Sequence, residues 1–186
     1  MSGYTAYEGD PTSEPDAFRR CLGQFATGVT VVTANVEGEL VGLTANSFAS
    51  VSLNPPLILW SIDVASSSYS KFSVADGFVI NVLADDQIAL SRHFGRSGPD
   101  KFNGVSCSMG SSGAPILNGV AAFFDCSRES EHRGGDHLIL VGRVRRAVRF
   151  NRSILLFAQG RYRVAVDHPG EDQIGSSAHL MQVSRG

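Results

Sequence analysis

The sequence is poor in cysteine, holding only Cys21, Cys107 and Cys126 at wide spacings. An odd number so placed makes neither a disulfide framework nor a zinc knuckle, and reduced, buried thiols are expected. No apolar run approaches the roughly 20 residues of a membrane span, and the first residues lack the basic start and apolar stretch of a signal peptide. A cytoplasmic protein with no membrane segment is expected. Charge of one sign is also missing. A formal net charge of -2 and a pI near 6.2 leave no global basic field for nucleic acid or an anionic membrane. The cluster Arg143, Arg145, Arg146 and Arg149 has the spacing of a solvated strand face. No G-x-G-x-x-G follows a strand and no G-x-x-x-x-G-K-[ST] occurs, so a bound nucleotide would sit outside the Rossmann and P-loop schemes.

What is present suits one globular domain. The chain has 186 residues, and a chain of this size buries about 70% of its unfolded surface. Residues 1–12 read as a flexible leader, 13–166 as the folded domain, and 167–186 as a tail that is either disordered or packed on a second subunit. Ser13 and Asp16 have a capping-box-like spacing, Pro15 suits a first helical turn, Phe18, Leu22 and Phe25 form one apolar helix face, and Gly28 offers the stop. Val29 to Asn35 and Leu40 to Thr44 form a predicted hairpin around Glu37 and Gly38. Tyr69 to Val74 suggests a short helix, Phe78 to Leu83 a core strand, and Asp85 or Asp86 the cap of a helix running through Phe94. A long loop from Gly95 to Gly113 follows, and Pro115 to Leu117 leads to strands at 121–128, 137–148, 154–158 and 162–166. Many short strands, few helices and no βαβ alternation predict a mainly β protein, a closed or split antiparallel barrel with peripheral helices.

Two segments carry the candidate chemistry, GLTANSFASVSLNPPLILW (Gly42 to Trp60) and GDHLILVGRV (Gly135 to Val144). Ala49, Val51 and Leu53 alternate with Ser50 and Ser52, the period of a strand with one buried and one hydroxyl-bearing face. Pro55 and Pro56 end it, and Leu57 to Ile62 reads as a core strand. Ser66, Ser67 and Ser68 then precede Tyr69 and Lys71, gathering hydroxyls and helix-start amides where an anion such as phosphate could sit. The same residues also read as a turn that caps an ordinary helix. His137 reads either as a turn residue at a strand start or as a functional group. His132, Asp136 and His137 do not have the spacing of a metal site.

From about Phe18 to Val166 the chain resembles the short-chain flavin reductases that supply reduced flavin to two-component monooxygenases. The resemblance rests on FRRCLGQFATGVTVVTA, the NS-x-x-S-VS-x-x-PPL stretch from Asn46 to Leu57, FVINVL at Phe78 to Leu83, and Gly135-Asp136-His137, all in order. It implies a homodimeric, Greek-key-like split β-barrel that binds FMN or FAD and takes hydride from NADH or NADPH, with a monooxygenase component receiving the reduced flavin. Position by position, it implies flavin contacts at Thr44, Ala45, Asn46, Ser47 and Ser50. A second flavin stretch spans Ser61 to Ser68, where Ser61, Ser66, Ser67, Ser68 and Lys71 bind cofactor and receive its phosphate. Phe94, Lys101 and Phe102 would approach the flavin from the long loop. Asp136, His137, Gly160 and Tyr162 would lie on the nicotinamide side, with Asn46 and His137 the catalytic pair and no metal.

Flavin and nicotinamide bring the redox chemistry, so such a protein supplies position and electrostatics and needs no proton-transfer triad. Two other readings compete: a split-barrel electron carrier or oxidase with tightly bound FMN and no nicotinamide, and a ligand-binding barrel without turnover. Arg161 and Arg163 could meet a 2′-phosphate or only water.

Overall fold

The computed structural model describes residues 8–169. In chain order the elements are α1 (Pro15–Leu22), β1 (Thr27–Gly28), β2 (Thr30–Val36), β3 (Glu39–Ala45), β4 (Ala49–Leu53), β5 (Pro56–Asp63), α2 (Tyr69–Phe72), β6 (Gly77–Val82), α3 (Ile88–Phe94), β7 (Cys107–Met109), β8 (Pro115–Leu117), β9 (Ala122–Gly134), β10 (His137–Arg149), β11 (Leu155–Ala158) and β12 (Arg161–Val164). The expected hairpin is β2–β3, paired from Thr30↔Ala45 to Val36↔Glu39 around a two-residue turn with Glu37 and Gly38 both at positive φ.

Seven strands make one antiparallel sheet in the order β3-β2-β6-β9-β10-β5-β4. Its two edge strands, β3 and β4, are consecutive in the chain and joined by Asn46 to Phe48. That short connection draws the edges together and gives the mainly β, split-barrel architecture. Side chains alternate through the wall: Val32, Ala34, Ile58, Trp60, Ile62, Phe78, Ile80, Leu138 and Leu140 fill one core, plugged by Phe72 of α2. Trp60 meets Phe72 and Phe78 edge-on at 5.0 and 5.8 Å. Gly142 makes this packing possible, because a Cβ there would lie 2.6 Å from Phe78 Cζ.

Strand β6 is an unbroken apolar run apart from Asn81 because it is buried on both faces. Its Val79, with Val31, Phe94, Ile116, Leu117, Phe123 and Leu155, forms a second core outside the barrel. The strap β7–β8 covers that core and is docked by Asn81: Oδ1 accepts from Leu117 N–H at 2.8 Å, and Nδ2 donates to the carbonyls of Val31 (3.1 Å) and Pro115 (3.3 Å). A three-stranded sheet, β1-β11-β12, flanks this side.

Several sequence expectations are revised. Helix α1 ends at Leu22, not near Gly28, since Thr27–Gly28 pairs with β11. Ser13 does not cap it: Glu14 is the N-cap without a side-chain bond, while the Ser13 hydroxyl donates to the Asp10 carbonyl at 3.0 Å. That turn carries order into the expected leader. The leader's residues 1–7 and the tail beyond 169 lie outside the described residues. Gln87, not Asp85 or Asp86, precedes α3, and Asp86 pairs with Arg152. The long loop contains β7. Strand β9 runs to Gly134, beyond the expected Arg128, because cross-strand pairing with β10 sustains a charged stretch that has no apolar alternation. Cys126 is buried, Cys107 is half-buried, and Cys21 is exposed, contrary to expectation. On edge strand β4 the apolar residues are not buried either: Val51 is 41% and Leu53 86% exposed.

Candidate functional site

Strand β3 is the spine of the site. Its first half lines a cavity of ≈ 710 Å³ against the serine turn, α2 and the loop at 97–103. Its end, at Thr44 and Ala45, lines a cavity of ≈ 220 Å³, and Asn46, the residue that follows it, lines both that cavity and one of ≈ 590 Å³. Gly42 belongs to the first cavity and Asn46 to the others. The four residue steps from one to the other span about 13 Å at strand rise, a reach open to a ring system with a phosphorylated side chain.

The large cavity collects Ser67, Ser68, Lys71, Lys101 and Phe102. The Ser67 and Ser68 hydroxyls make no hydrogen bond among the described residues, which leaves them free to serve a ligand. Helix α2 has only four residues and Ser68 makes no side-chain cap, so the donors here are hydroxyls and ammonium groups and not a helix terminus. Lys71 Nζ lies 2.5 Å from Glu39 Oε2. Lys101 Nζ donates to the carbonyls of Gly42 (3.1 Å) and Phe94 (3.2 Å), and its desolvation lowers its pKa from the ordinary lysine value. Gly42 permits this close docking: a Cβ there would come within 2.7 Å of the Phe94 ring. Phe94 is 1% exposed and meets Phe102 edge-on at 5.2 Å. The expected flavin contact at Phe94 is therefore corrected: it is the floor beneath Phe102. Ser66 lies outside the lining, its hydroxyl accepting from Ser68 N–H at 3.3 Å.

At the other end, Asn46 is exposed, and its carboxamide has no partner among the described residues. Thr44 and Ala45 line the small cavity, but the Thr44 hydroxyl donates to the Ser91 carbonyl at 2.7 Å, and the Ala45 carbonyl accepts from Thr30 Oγ1 at 2.7 Å. Tyr162 lines the same cavity with its hydroxyl 3.0 Å from Ser91 Oγ. Gly160 lines the ≈ 590 Å³ cavity beside Asn46. Ser47 is spent on the backbone of Ser61, and Ser50 is exposed on β4, lining none of the three cavities.

The nicotinamide set divides. Gly160 and Tyr162 join Asn46, whereas Asp136 and His137 line none of these cavities. His137 opens β10 opposite Asp63, its Nδ1 2.7 Å from Asp136 Oδ1, and the Asp136 carbonyl accepts from Val64 N–H at 3.0 Å. The GDH turn thus sits beside the serine turn. The hydrogen bond from His137, reinforced by its charge, lowers the Asp136 pKa from the ordinary carboxylate value.

Sequence reasoning missed Ser91 and Glu39. Ser91 lies inside a helix with no distinguishing pattern, and Glu39 reads as the polar end of a turn. Among the described residues no cluster of three His, Cys, Asp or Glu side chains could hold a metal ion, and no helix is long and apolar enough to cross a membrane.

The flavin reductase like domain family matches residues 22–165. The FMN reductase (NADH) SmoA of Agrobacterium fabrum is 45% identical over 146 residues, 78% of this chain and 83% of that protein. The reductase subunit HsaB of a flavin-dependent monooxygenase from Rhodococcus jostii is 43% identical over 151 residues, 80% of this chain and 77% of its own. Among solved structures, the NADH:FAD oxidoreductase SgcE6 of Streptomyces globisporus, in complex with NAD and FAD fragments, superposes with a TM-score of 0.81 at 38% identity, covering 88% of this chain and 98% of that one.

Proposed function

The chain belongs to the flavin reductase family, and from that membership we propose that it is an NAD(P)H:flavin oxidoreductase whose reduced FMN or FAD feeds a partner flavin-dependent monooxygenase. The observation that carries the reading is the arrangement along β3: a cavity rich in hydroxyls and ammonium groups at one end and an unpartnered carboxamide, Asn46, at the other. Such a donor set fits a flavin, with phosphate toward Ser67, Ser68 and Lys71 and the ring's polar edge toward Asn46. The relatives named for NADH and for a monooxygenase subunit support it over a carrier with permanently bound FMN.

When both bind, hydride passes from the nicotinamide to the flavin ring, and the cofactors supply that chemistry. The protein's part is to hold the two rings in contact and to keep donors on the developing negative charge. Asn46 is placed for the second task, with its strand anchored to α3 through Thr44 and Ser91. Phe102 and the Lys101 staple close the loop over the large cavity. Gly160 and Tyr162 lie beside Asn46, where a nicotinamide would approach. His137, held by Asp136 beside the serine turn, lies away from Asn46, so in this reading it meets a part of the donor other than its nicotinamide ring.

A second copy of the chain would cover Val51 and Leu53 on β4, Phe18 and Leu22 on α1, and Phe25 just beyond it, which are 41–86% exposed. We accordingly propose a homodimer, and with it a cytoplasmic setting for the reaction; light scattering on the purified protein checks the oligomeric state. The decisive test of activity is NADH or NADPH oxidation followed by absorbance, with and without added FMN or FAD. Turnover that depends on added flavin is expected. No turnover with any pairing would return the electron-carrier reading.

A further inference from the structure

We propose that Glu39 is a brake on flavin binding: it holds Lys71 in the free protein and has to give that ammonium up when the flavin phosphate arrives. The proposal rests on the assignment of the phosphate to the cavity at Ser67, Ser68 and Lys71.

The charged side chains lining that cavity are Glu39, Lys71, Asp100 and Lys101, two of each sign. The two cations differ in their commitments. Lys101 is stapled to the Gly42 and Phe94 carbonyls, part of what holds the loop in place. Lys71 is held by one carboxylate, Glu39, at 2.5 Å, with side-chain exposures of 37% and 60%. Glu39 is the first residue after the β2–β3 turn and Lys71 sits on α2, so the pair bridges two elements that line the cavity. Helix α2 keeps its own backbone bonds and its buried Phe72 without the pair. Lys71 is therefore the cation that can change partner.

A phosphate entering there meets the ammonium it needs already neutralised and a carboxylate of its own sign beside it. Binding is then an exchange of one anion for another on Lys71, and the gain is smaller than a bare lysine would give. Release of the phosphate is assisted by the same carboxylate returning. A protein that must hand its reduced flavin on benefits from a weaker hold on the phosphate. Riboflavin, which has no phosphate, should not feel the exchange.

The experiment is fluorescence-quenching titration of FMN and of riboflavin against the parent, Glu39→Gln, Lys71→Ala and the double variant, at low and high salt, with circular dichroism to confirm folding. Glu39 is exposed and Gln keeps its shape, so the fold should survive. Glu39→Gln is expected to tighten FMN about fivefold at low salt and to leave riboflavin unchanged. The gain should shrink as salt screens the charges and vanish in the Lys71→Ala background. A Glu39→Gln protein that binds FMN no more tightly, that gains equally for riboflavin, or that keeps its full gain without Lys71 overturns the brake. Selective loss of FMN in Lys71→Ala alongside an inert Glu39→Gln would overturn the brake and leave the phosphate assignment standing. Equal loss of FMN and riboflavin in Lys71→Ala would overturn both.

Discussion

One hydroxyl, that of Ser47, serves both backbone groups of Ser61: it donates to the Ser61 carbonyl at 2.9 Å and accepts from the Ser61 N–H at 3.0 Å. The side chain acts as a short piece of strand, joining the β3–β4 connection to β5 and setting the height at which Asn46 stands. Ser47→Ala should cost about 1–2 kcal/mol, since two half-buried backbone groups lose their partner. Flavin affinity should fall with it although the Ser47 hydroxyl is spent on the Ser61 backbone, and Ser47→Thr should keep both. Urea unfolding beside flavin titration measures this; an alanine variant of unchanged stability that still loses flavin would make Ser47 a direct contact.

Asn46 and His137 should separate in their effects. Asn46→Ala is expected to weaken flavin binding, while His137→Ala slows hydride transfer or raises the donor KM with flavin affinity nearly intact. Misplacing a donor ring by about 1 Å can cost on the order of 10²-fold in rate. Stopped-flow reduction on both variants gives the answer. A His137→Ala protein that reduces flavin like the parent would make the histidine a strand-opening residue only.

Asn81→Leu should be among the most damaging single changes in the domain. Asn81 is fully buried, and its loss leaves the Leu117 N–H of the strap without its side-chain partner, while the Pro115 carbonyl loses one of two donors and keeps the Thr33 hydroxyl at 2.5 Å. About 2–4 kcal/mol is expected, combining the lost bond to the Leu117 N–H with the poor fit of a branched apolar side chain. The midpoint of chemical denaturation reports it, and a loss below about 0.5 kcal/mol, the range of ordinary surface substitutions, would mean that the strap docks by apolar contact alone.

The cysteines should sort by burial. Desolvation, aided by the neighbouring Asp125 charge, pushes the Cys126 thiol up to about 12, so it stays protonated through neutral and mildly alkaline pH and gains thiolate only far above that range. In the folded protein a thiol reagent at pH 8 should label exposed Cys21 promptly and Cys126 only on unfolding. Equal native rates for the two, followed by mass spectrometry, would contradict the packing of Cys126 in the barrel core.

Where the sequence was read correctly, the signal was local. The β2–β3 hairpin follows from two β-rich runs around Glu37 and Gly38, β5 from an apolar run opened by proline, and β6 from six residues too apolar for a surface. Each depends on dihedral preference and side-chain period, which act within a few residues. The ordered motifs from Asn46 to Leu57 and at Gly135 to His137 marked the family and the neighbourhood of the site.

Tertiary structure decided everything that depends on who the distant partner is. Val51 and Leu53 alternate like core residues, yet β4 is an edge with nothing among the described residues laid over them. The hydroxyls of Thr44, Ser47 and Ser66 look as available as those of Ser67 and Ser68, but the first three are spent within the protein and the last two are not. Phe94 became a floor and Lys101 a staple because α3 packs under Gly42, and Lys71 met Glu39 across 32 residues of chain. His137 and Tyr162, read as one set, open onto different places because they belong to different sheets. Composition and period determine which residues form strands and helices, because those forces are short in range. Which polar groups remain free for a ligand is settled by strand register and packing, where residues far apart in sequence compete for the same hydrogen bonds.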